Sequence, residues 1–192
     1  LEAAGMHRNV SGEDFASYAT SYSFGMWFKL TSYYSNGNAY YTADTNTVLA
    51  DFGTSGNSNN NGNWTISVYK DGTLKIGGHA ASNYGLGQMS GALASSVSLN
   101  EWHYVLLTID NTADNAQVAV YYDGTQVLNQ AATGKVYYPW GDGDNYNIHA
   151  FGLGSNGALD EIQLWNRALT AEEAAVAQVN AQAVNGLTAL YT

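Results

Sequence analysis

The sequence predicts an all-β protein, an antiparallel sandwich with one short C-terminal helix. Three observations carry this. Runs of five to nine residues alternate with period two, the signature of strands. Short polar or Gly-containing segments join them, among them Asp71-Gly72 and Asp123-Gly124, a dipeptide that tolerates the positive φ of tight hairpin turns. Only one stretch, Thr170 to Gly186, carries helix start and stop signals. A chain of 192 residues suits one domain, 1–192, because β-sandwiches of this size fold as single units.

The organising stretch is Glu101 to Gly124. Trp102, Tyr104 and Leu106 alternate with His103, Val105 and Leu107, so both faces are apolar or aromatic, as in a strand covered on both sides. Asp110 to Ala116 is a polar turn, Gln117 to Asp123 a second strand, Asp123-Gly124 a hairpin turn and Thr125 to Asn129 a third strand. Upstream, Phe15 to Thr20 reads as a short strand and Tyr22 to Leu30 as a stronger one, with Phe24, Met26 and Phe28 on one face. Val48 to Phe52 is a strand, and Trp64 to Lys70 with Thr73 to Gly77 make a hairpin about Asp71-Gly72. Downstream come strands at Ile148 to Gly152 and Ala158 to Asn166. The helix follows, with Thr170 as N-cap and Glu173 completing a capping box. Leu187 to Thr192 is a final edge strand or the start of a linker. The expected core between the sheets is Trp27, Trp102, Leu106, Val120, Ile162 and Leu164, and Trp102→Ala is expected to cost roughly 3 to 5 kcal/mol.

Composition narrows the functional classes. Charged residues are only 11% and hydrophobic ones 45%, against roughly 25% charged in ordinary soluble domains. Asn, Ser, Thr, Gly, Gln and Tyr must cover the surface, as suits a secreted protein or a surface that meets neutral polar ligands. Net charge is −10 with six Lys plus Arg, which argues against nucleic acid and anionic membranes. Absence of Cys removes disulfides, zinc-thiolate sites and thiol catalysis. No run approaches the 18 apolar residues of a membrane span. The chain begins at Leu1 and reads as an excised or mature module, expected to be a monomeric part of a larger extracellular or cell-surface protein.

Three motifs point to a family. Gly157 to Glu173, GALDEIQLWNRALTAEE, follows Asn100-Glu-Trp-His103 with Asp110 and Tyr121-Tyr-Asp-Gly124, and an early Tyr22 to Phe28 strand precedes both. In that order they resemble the bacterial laminin-G-like, concanavalin A-like lectin/glucanase jelly-roll domains, over about Phe15 to Val179. The resemblance implies the antiparallel two-sheet jelly-roll sandwich and a role as sugar-binding module, adhesion module or spacer. It also implies a structural Ca²⁺ near the aspartate of the G-x-x-D-E turn, here Asp160. Glucanases of this fold resemble a pattern of acids alternating along one strand, Glu-x-Asp-x-x-Glu. Asp160 and Glu161 do not fit it: adjacent residues of a strand face opposite ways, and no third acid follows. The expectation is therefore no enzyme.

The chemistry that remains lies in aromatic loops. A sugar ring needs a flat aromatic against its C–H face and polar groups at its hydroxyl rim. Tyr137, Tyr138, Trp140, Asp142, Asp144, Asn145 and Tyr146 supply both within ten residues, which makes them the candidate glycan site. Tyr33, Tyr34, Tyr40 and Tyr41 would wall it if the two loops meet at one end of the sandwich. Asp142-Gly-Asp144-Asn145 is a second calcium candidate but lacks the EF-hand pattern. His7, His79, His103 and His149 show no metal-type spacing; His103 reads as a hydrogen-bonded sheet histidine.

Overall fold

The computed structural model describes residues 6–10, 21–33, 46–54, 64–78, 91–94, 96–132, 146–150 and 157–191. Twelve strands are described. They are β1 (Met6–Val10), β2 (Tyr22–Leu30), β3 (Asn46–Thr54), β4 (Trp64–Tyr69), β5 (Leu74–Gly78), β6 (Gly91–Ala94), β7 (His103–Asp110), β8 (Gln117–Tyr122), β9 (Thr125–Ala131), β10 (Tyr146–Ala150), β11 (Gly157–Trp165) and β12 (Leu187–Tyr191). Helix α1 (Ala171–Val179) and a 3-10 turn at Ala181–Ala183 separate β11 from β12. One sheet has the order β1-β10-β3-β4-β5-β6, the other β12-β11-β2-β7-β8-β9. Every pairing is antiparallel. The two-sheet antiparallel sandwich with one short helix is therefore the observed fold, and Leu187–Tyr191 is an edge strand. β1 had no strand signal in the sequence. The strand expected at Phe15 to Thr20 lies outside the described residues.

Two apolar layers hold the fold. Between the sheets, Phe24, Met26, Phe28, Val105, Leu107, Val118, Val120, Ile162 and Leu164 pack against Leu49, Ile66, Val68, Leu74, Ile76 and Leu93. On the outer face of the second sheet, Tyr104, Leu106, Ala119, Tyr121 and Trp165 pack beneath Leu169, Ala174, Ala177, Ala181 and Val184. Half of the expected inter-sheet core is thus placed otherwise. Leu106 is buried on the helix side, Trp27 is only partly buried against that layer, and Trp102 is 42% exposed. The reason is phase. Trp27 and Leu106 fall one residue out of step with Phe24–Met26–Phe28 and Val105–Leu107, and a strand apolar on both faces does not reveal which face meets the other sheet.

The two Asp-Gly turns, alike in sequence, differ in geometry. Asp123 and Gly124 both have positive φ, 47° and 78°, and Tyr122 opposes Thr125. That is a two-residue type I′ loop. At the other, only Gly72 has positive φ, 80°. There the Gly72 N–H donates to the Tyr69 carbonyl at 2.8 Å and the Tyr69 N–H to the Thr73 carbonyl at 2.9 Å, a three-residue loop closed by a left-handed glycine.

Register fixes which connections share an end of the sandwich. Tyr146 opposes both Val10 and Thr54, Phe52 opposes Trp64, and Trp64 opposes Gly78. The stems of connections 11–20, 55–63 and 79–90, and the stem through which 133–145 enters β10, therefore lie together at the Tyr146 end of the first sheet. The two stems of connection 34–45 lie at the opposite end. The Tyr33 hydroxyl donates to the Val97 carbonyl at 2.6 Å, Val97 N–H donates to the Gly72 carbonyl at 2.9 Å, and Asn46 opposes Tyr69.

Candidate functional site

Of the predicted glycan ligands, Tyr137, Tyr138, Trp140, Asp142, Asp144 and Asn145 lie outside the described residues. Tyr146 opens β10 between β1 and β3. The backbone brings the stem of their connection beside those of Ser55 to Asn63, rich in Asn, Ser and Gly, and of the Gly- and Ser-rich 79–90. It does not bring it beside the stems of the other tyrosine-rich connection. Tyr33 is tied at the Gly72 end, and Tyr34, Tyr40 and Tyr41 lie outside the described residues, in a connection whose two stems are at that end.

The Asp160 region departs from simple alternation. Asp160 opposes Trp27 and Gln163 opposes Gly25, so Glu161 and Ile162 together face Met26 across a β-bulge. Glu161 takes up the extra residue at φ 46°, a left-handed conformation that costs a non-glycine residue free energy and is concentrated at functional sites. Its carboxylate accepts a long hydrogen bond from Gln163 Nε2 at 3.4 Å and its charge acts on Tyr104, both on the helix side. The bulge thus corrects the expectation of opposite faces: Asp160 and Glu161 both belong to the outer face. Asp160 is exposed, and its Oδ1 accepts the Glu161 N–H at 2.9 Å. Calcium takes six to eight oxygens. Asp160 offers part of such a shell, but among the described residues no three His, Cys, Asp or Glu side chains are grouped to hold a metal.

Beneath the bulge is a polar contact that the sequence did not announce. Tyr104 OH donates to Gln163 Oε1 at 2.5 Å, buried. Gly25 makes the space for it, since a Cβ there would stand 2.5 Å from the Tyr104 oxygen. Burial, with the Glu161 charge added, pushes the Tyr104 phenol far above its ordinary range, so it stays a neutral donor. Next to this floor, helix cover ends. Trp27 packs on Tyr104 with ring centroids 5.4 Å apart, and Lys29 Nζ lies 5.1 Å over the Trp102 ring.

His103 stands between the sheets at the Gly72 end, buried as expected of a hydrogen-bonded sheet histidine. Nδ1 lies 2.7 Å from Asp123 Oδ2 and 2.9 Å from Tyr122 OH, and Nε2 lies 3.0 Å from Ser98 Oγ. Asp123 also accepts the Tyr104 N–H at 2.8 Å. The Ser98 hydroxyl is turned to Glu101 Oε2 at 2.5 Å. This cluster pins the type I′ turn and the 96–101 segment to β7, which explains why Asn100-Glu-Trp-His and Tyr-Asp-Gly occur together.

The closing motif is structural as well. Arg167 forks onto Glu173, with Nη1 to Oε2 at 2.6 Å and Nη2 to Oε1 at 2.7 Å, and its Nε donates to the Asn185 carbonyl at 3.0 Å. Glu173 accepts the Thr170 N–H at 3.0 Å while Thr170 Oγ1 accepts the Glu173 N–H at 3.3 Å, the capping box read from sequence. Ser23 donates to the Arg167 carbonyl at 2.9 Å and accepts the Leu169 N–H at 3.0 Å, fastening the segment to β2.

Comparison with known proteins agrees with this architecture. The family model of the concanavalin A-like lectin/glucanases superfamily matches residues 5–175. No curated protein matches the chain. Among solved structures, a candidate carbohydrate-binding protein from Bacteroides ovatus ATCC 8483 is similar, with a TM-score of 0.61 and 15% identity over 98% of this chain and 48% of that one. The CBM40 of Ruminococcus gnavus IT-sialidase superposes with a TM-score of 0.59 and 13% identity, over 92% and 94% of the two chains; that module is also known bound to α2,3-sialyllactose. A heptameric SAP-like pentraxin from Limulus polyphemus gives 0.52 and 15%, over 92% and 76%. At these identities the likeness is one of fold.

Proposed function

The chain belongs to the concanavalin A-like lectin/glucanase superfamily, and from that premise we propose that it is a non-catalytic carbohydrate-binding module of an extracellular or cell-surface protein. One observation carries the proposal. The stem through which the aromatic connection enters β10 sits at the Tyr146 end of the first sheet, beside the stems of two polar connections. Loops at a sheet rim vary without disturbing the core. Trp140 stacks on a sugar face with Tyr137 or Tyr146 beside it. Tyr138 completes the aromatic set, and Asp142, Asp144 and Asn145 bond hydroxyls. The candidate carbohydrate-binding protein and the sialyllactose-bound CBM40 among the structural relatives support a glycan as ligand.

A single exposed site of this kind binds with a Kd of roughly 0.1 to 1 mM, about −4 to −5.5 kcal/mol, because its hydrogen bonds replace bonds to water. A neutral glycan would show little salt dependence. An acidic one meets the net charge of −10 and binds better as salt screens it. The test is a glycan array followed by titration of wild type and Trp140→Ala. Affinity lost at least tenfold in a folded mutant supports the site, equal affinity moves it off this loop, and no binding to any glycan favours an adhesion or spacer role.

A structural Ca²⁺ at Asp160 belongs to the same proposal. Bound calcium would raise the melting temperature, so EDTA should lower it and Asp160→Ala should remove that sensitivity. A calcium-loaded protein indifferent to EDTA ends the idea.

A further inference from the structure

The outer face of the second sheet is covered over one part and open over another. Leu106, Tyr121 and Trp165 lie beneath the helical segment. Toward the Gly72 end, two cross-strand rows lead out from under it: Tyr104, itself buried in the helix-side layer, with Trp27 and Asp160 in register, then Lys29 and Ala158, with Trp102 meeting Lys29 through its ring. We propose that this open part is a second saccharide-binding surface, a shallow platform of Trp27, Lys29 and Trp102 bordered by Glu161 and Asp160, which takes a neutral saccharide. The proposal rests on the carbohydrate-binding reading but uses a different part of the molecule.

Four features point to a sugar. Trp102 is 42% exposed, a large apolar ring left in water although its neighbours on β7 are buried. Lys29 lies across that ring at 5.1 Å, which fixes the indole plane at modest energetic gain. Trp27 is held from below by Tyr104, itself locked to Gln163 by a buried hydrogen bond; a supported ring loses little freedom on binding. Finally, Glu161 holds a left-handed backbone at a bulge, a device that re-aims a side chain next to a functional surface. Lys29 and Trp27, two residues apart on one strand face, are separated by roughly 7 Å, about the span of one or two sugar rings.

Charge selects the class of sugar. The platform has one ammonium and two bordering carboxylates, on a chain of net charge −10, so a polyanionic glycan meets repulsion. A neutral saccharide uses the carboxylates as acceptors, Lys29 as donor and the indoles as stacking faces.

The test follows the indole N–H resonances of ¹⁵N-labelled protein, assigned by Trp27→Phe, Trp102→Phe and Trp140→Phe. Maltohexaose, cellohexaose, xylohexaose and mannohexaose are each added to 10 mM. The proposal expects at least one to shift the Trp102 signal in a saturable way. The shift persists in Trp140→Ala and disappears in Trp102→Ala, and affinity falls at least threefold in Lys29→Met. No saturable Trp102 shift with any of the four overturns it. A Trp140-dependent response alone removes the platform and leaves the rim site standing; a Trp102-dependent response alone does the reverse. Sedimentation that detects a dimer broken by Trp102→Ala also overturns it, because the surface is then an interface between copies.

Discussion

The covered and open parts of one sheet face carry similar residues and do different things. Under the helix, Trp165 is fully buried with Leu106, Tyr121 and Ala174 around it. At the start of β7, toward the other end of the same face, Trp102 stands 42% exposed with Lys29 across its ring. Both tryptophans come from apolar stretches within family-like motifs, and of the two only Trp102 read as inter-sheet core in the sequence. What separates them is whether a later segment returns to cover them. Arg167, Glu173 and Ser23 fasten α1 over the first and leave the second partly exposed. An aromatic on a sheet is therefore a packing group or a binding group according to a contact remote in sequence, and truncation of each tells the two apart.

The largest effect is expected at Trp165. Trp165→Ala should cost roughly 3 to 5 kcal/mol, the usual penalty for emptying a large buried site. It should appear as a lower urea midpoint. A midpoint within error of wild type would mean that the helix does not seal this part of the face.

At the boundary between the two parts the expected cost is smaller. Tyr104→Phe removes the donor to Gln163 Oε1 and leaves a buried acceptor unpaired, worth about 1 to 3 kcal/mol. Gly25→Ala should damage the same contact by steric means, since its Cβ would stand 2.5 Å from the phenol oxygen. If the two substitutions act through that one contact, their costs in the double variant should be clearly less than additive. Full additivity would assign Gly25 a separate role.

What could be read from the sequence follows the range of the interactions involved. The capping box spans four residues, Thr170 to Glu173, and the Asp123-Gly124 turn spans two; each is specified locally and each was visible. Strand existence was visible for β2, β7 and β8 because alternation is also local. Facing was not. Trp27 and Leu106 differ from Phe28 and Leu107 only in phase, and phase is set by which sheet arrives on which side. The bulge at Glu161 was hidden because no glycine or asparagine marks the left-handed position. The separation of the stems of connection 34–45 from the stem by which 133–145 enters β10 depends on strand order. A connection's end of the sandwich is known only once Tyr146 is seen opposite Thr54 and Asn46 opposite Tyr69. For the proposed glycan sites, residue chemistry was legible in Trp140 and its neighbours, while Trp102 and Lys29 were concealed within a strand motif.

The fastening of the helix can be weakened by pH. The Arg167 guanidinium, then the Thr170 N–H, holds the Glu173 carboxyl below its ordinary value of 4.5. A carboxylate lowered in the folded state stabilises above its unfolded pKa, and that contribution is lost as pH falls through the folded pKa. Both partners are about one-third exposed, 33% and 34%, so solvent screening keeps the effect to about 1 kcal/mol or less. Glu173→Gln keeps a capping side chain while removing the charge. Its melting temperature should lie below wild type at pH 6, and the gap should close as pH is lowered from about 4.5 toward 3. A gap independent of pH would mean that shape, not charge, holds the helix end.

A similarly small change is expected at Trp102. An exposed cation–π contact is worth about 0.5 to 1 kcal/mol, and a ring already 42% in water has less transfer free energy to lose than a buried one. Trp102→Ala should therefore lower stability by about 1 kcal/mol, well short of the core-truncation cost its position in the organising stretch led one to expect. Lys29→Met should cost no more, since its methylene stem can still lie along the ring. The two together should cost less than the sum of the singles, because each removes the same contact. The comparison with Trp165→Ala carries the weight. If Trp102→Ala destabilises as much as Trp165→Ala, Trp102 is core and the open platform does not exist. If it is nearly silent in unfolding while abolishing the maltohexaose or other hexaose response, the two parts of the face have separate roles, one holding the fold and the other meeting the ligand.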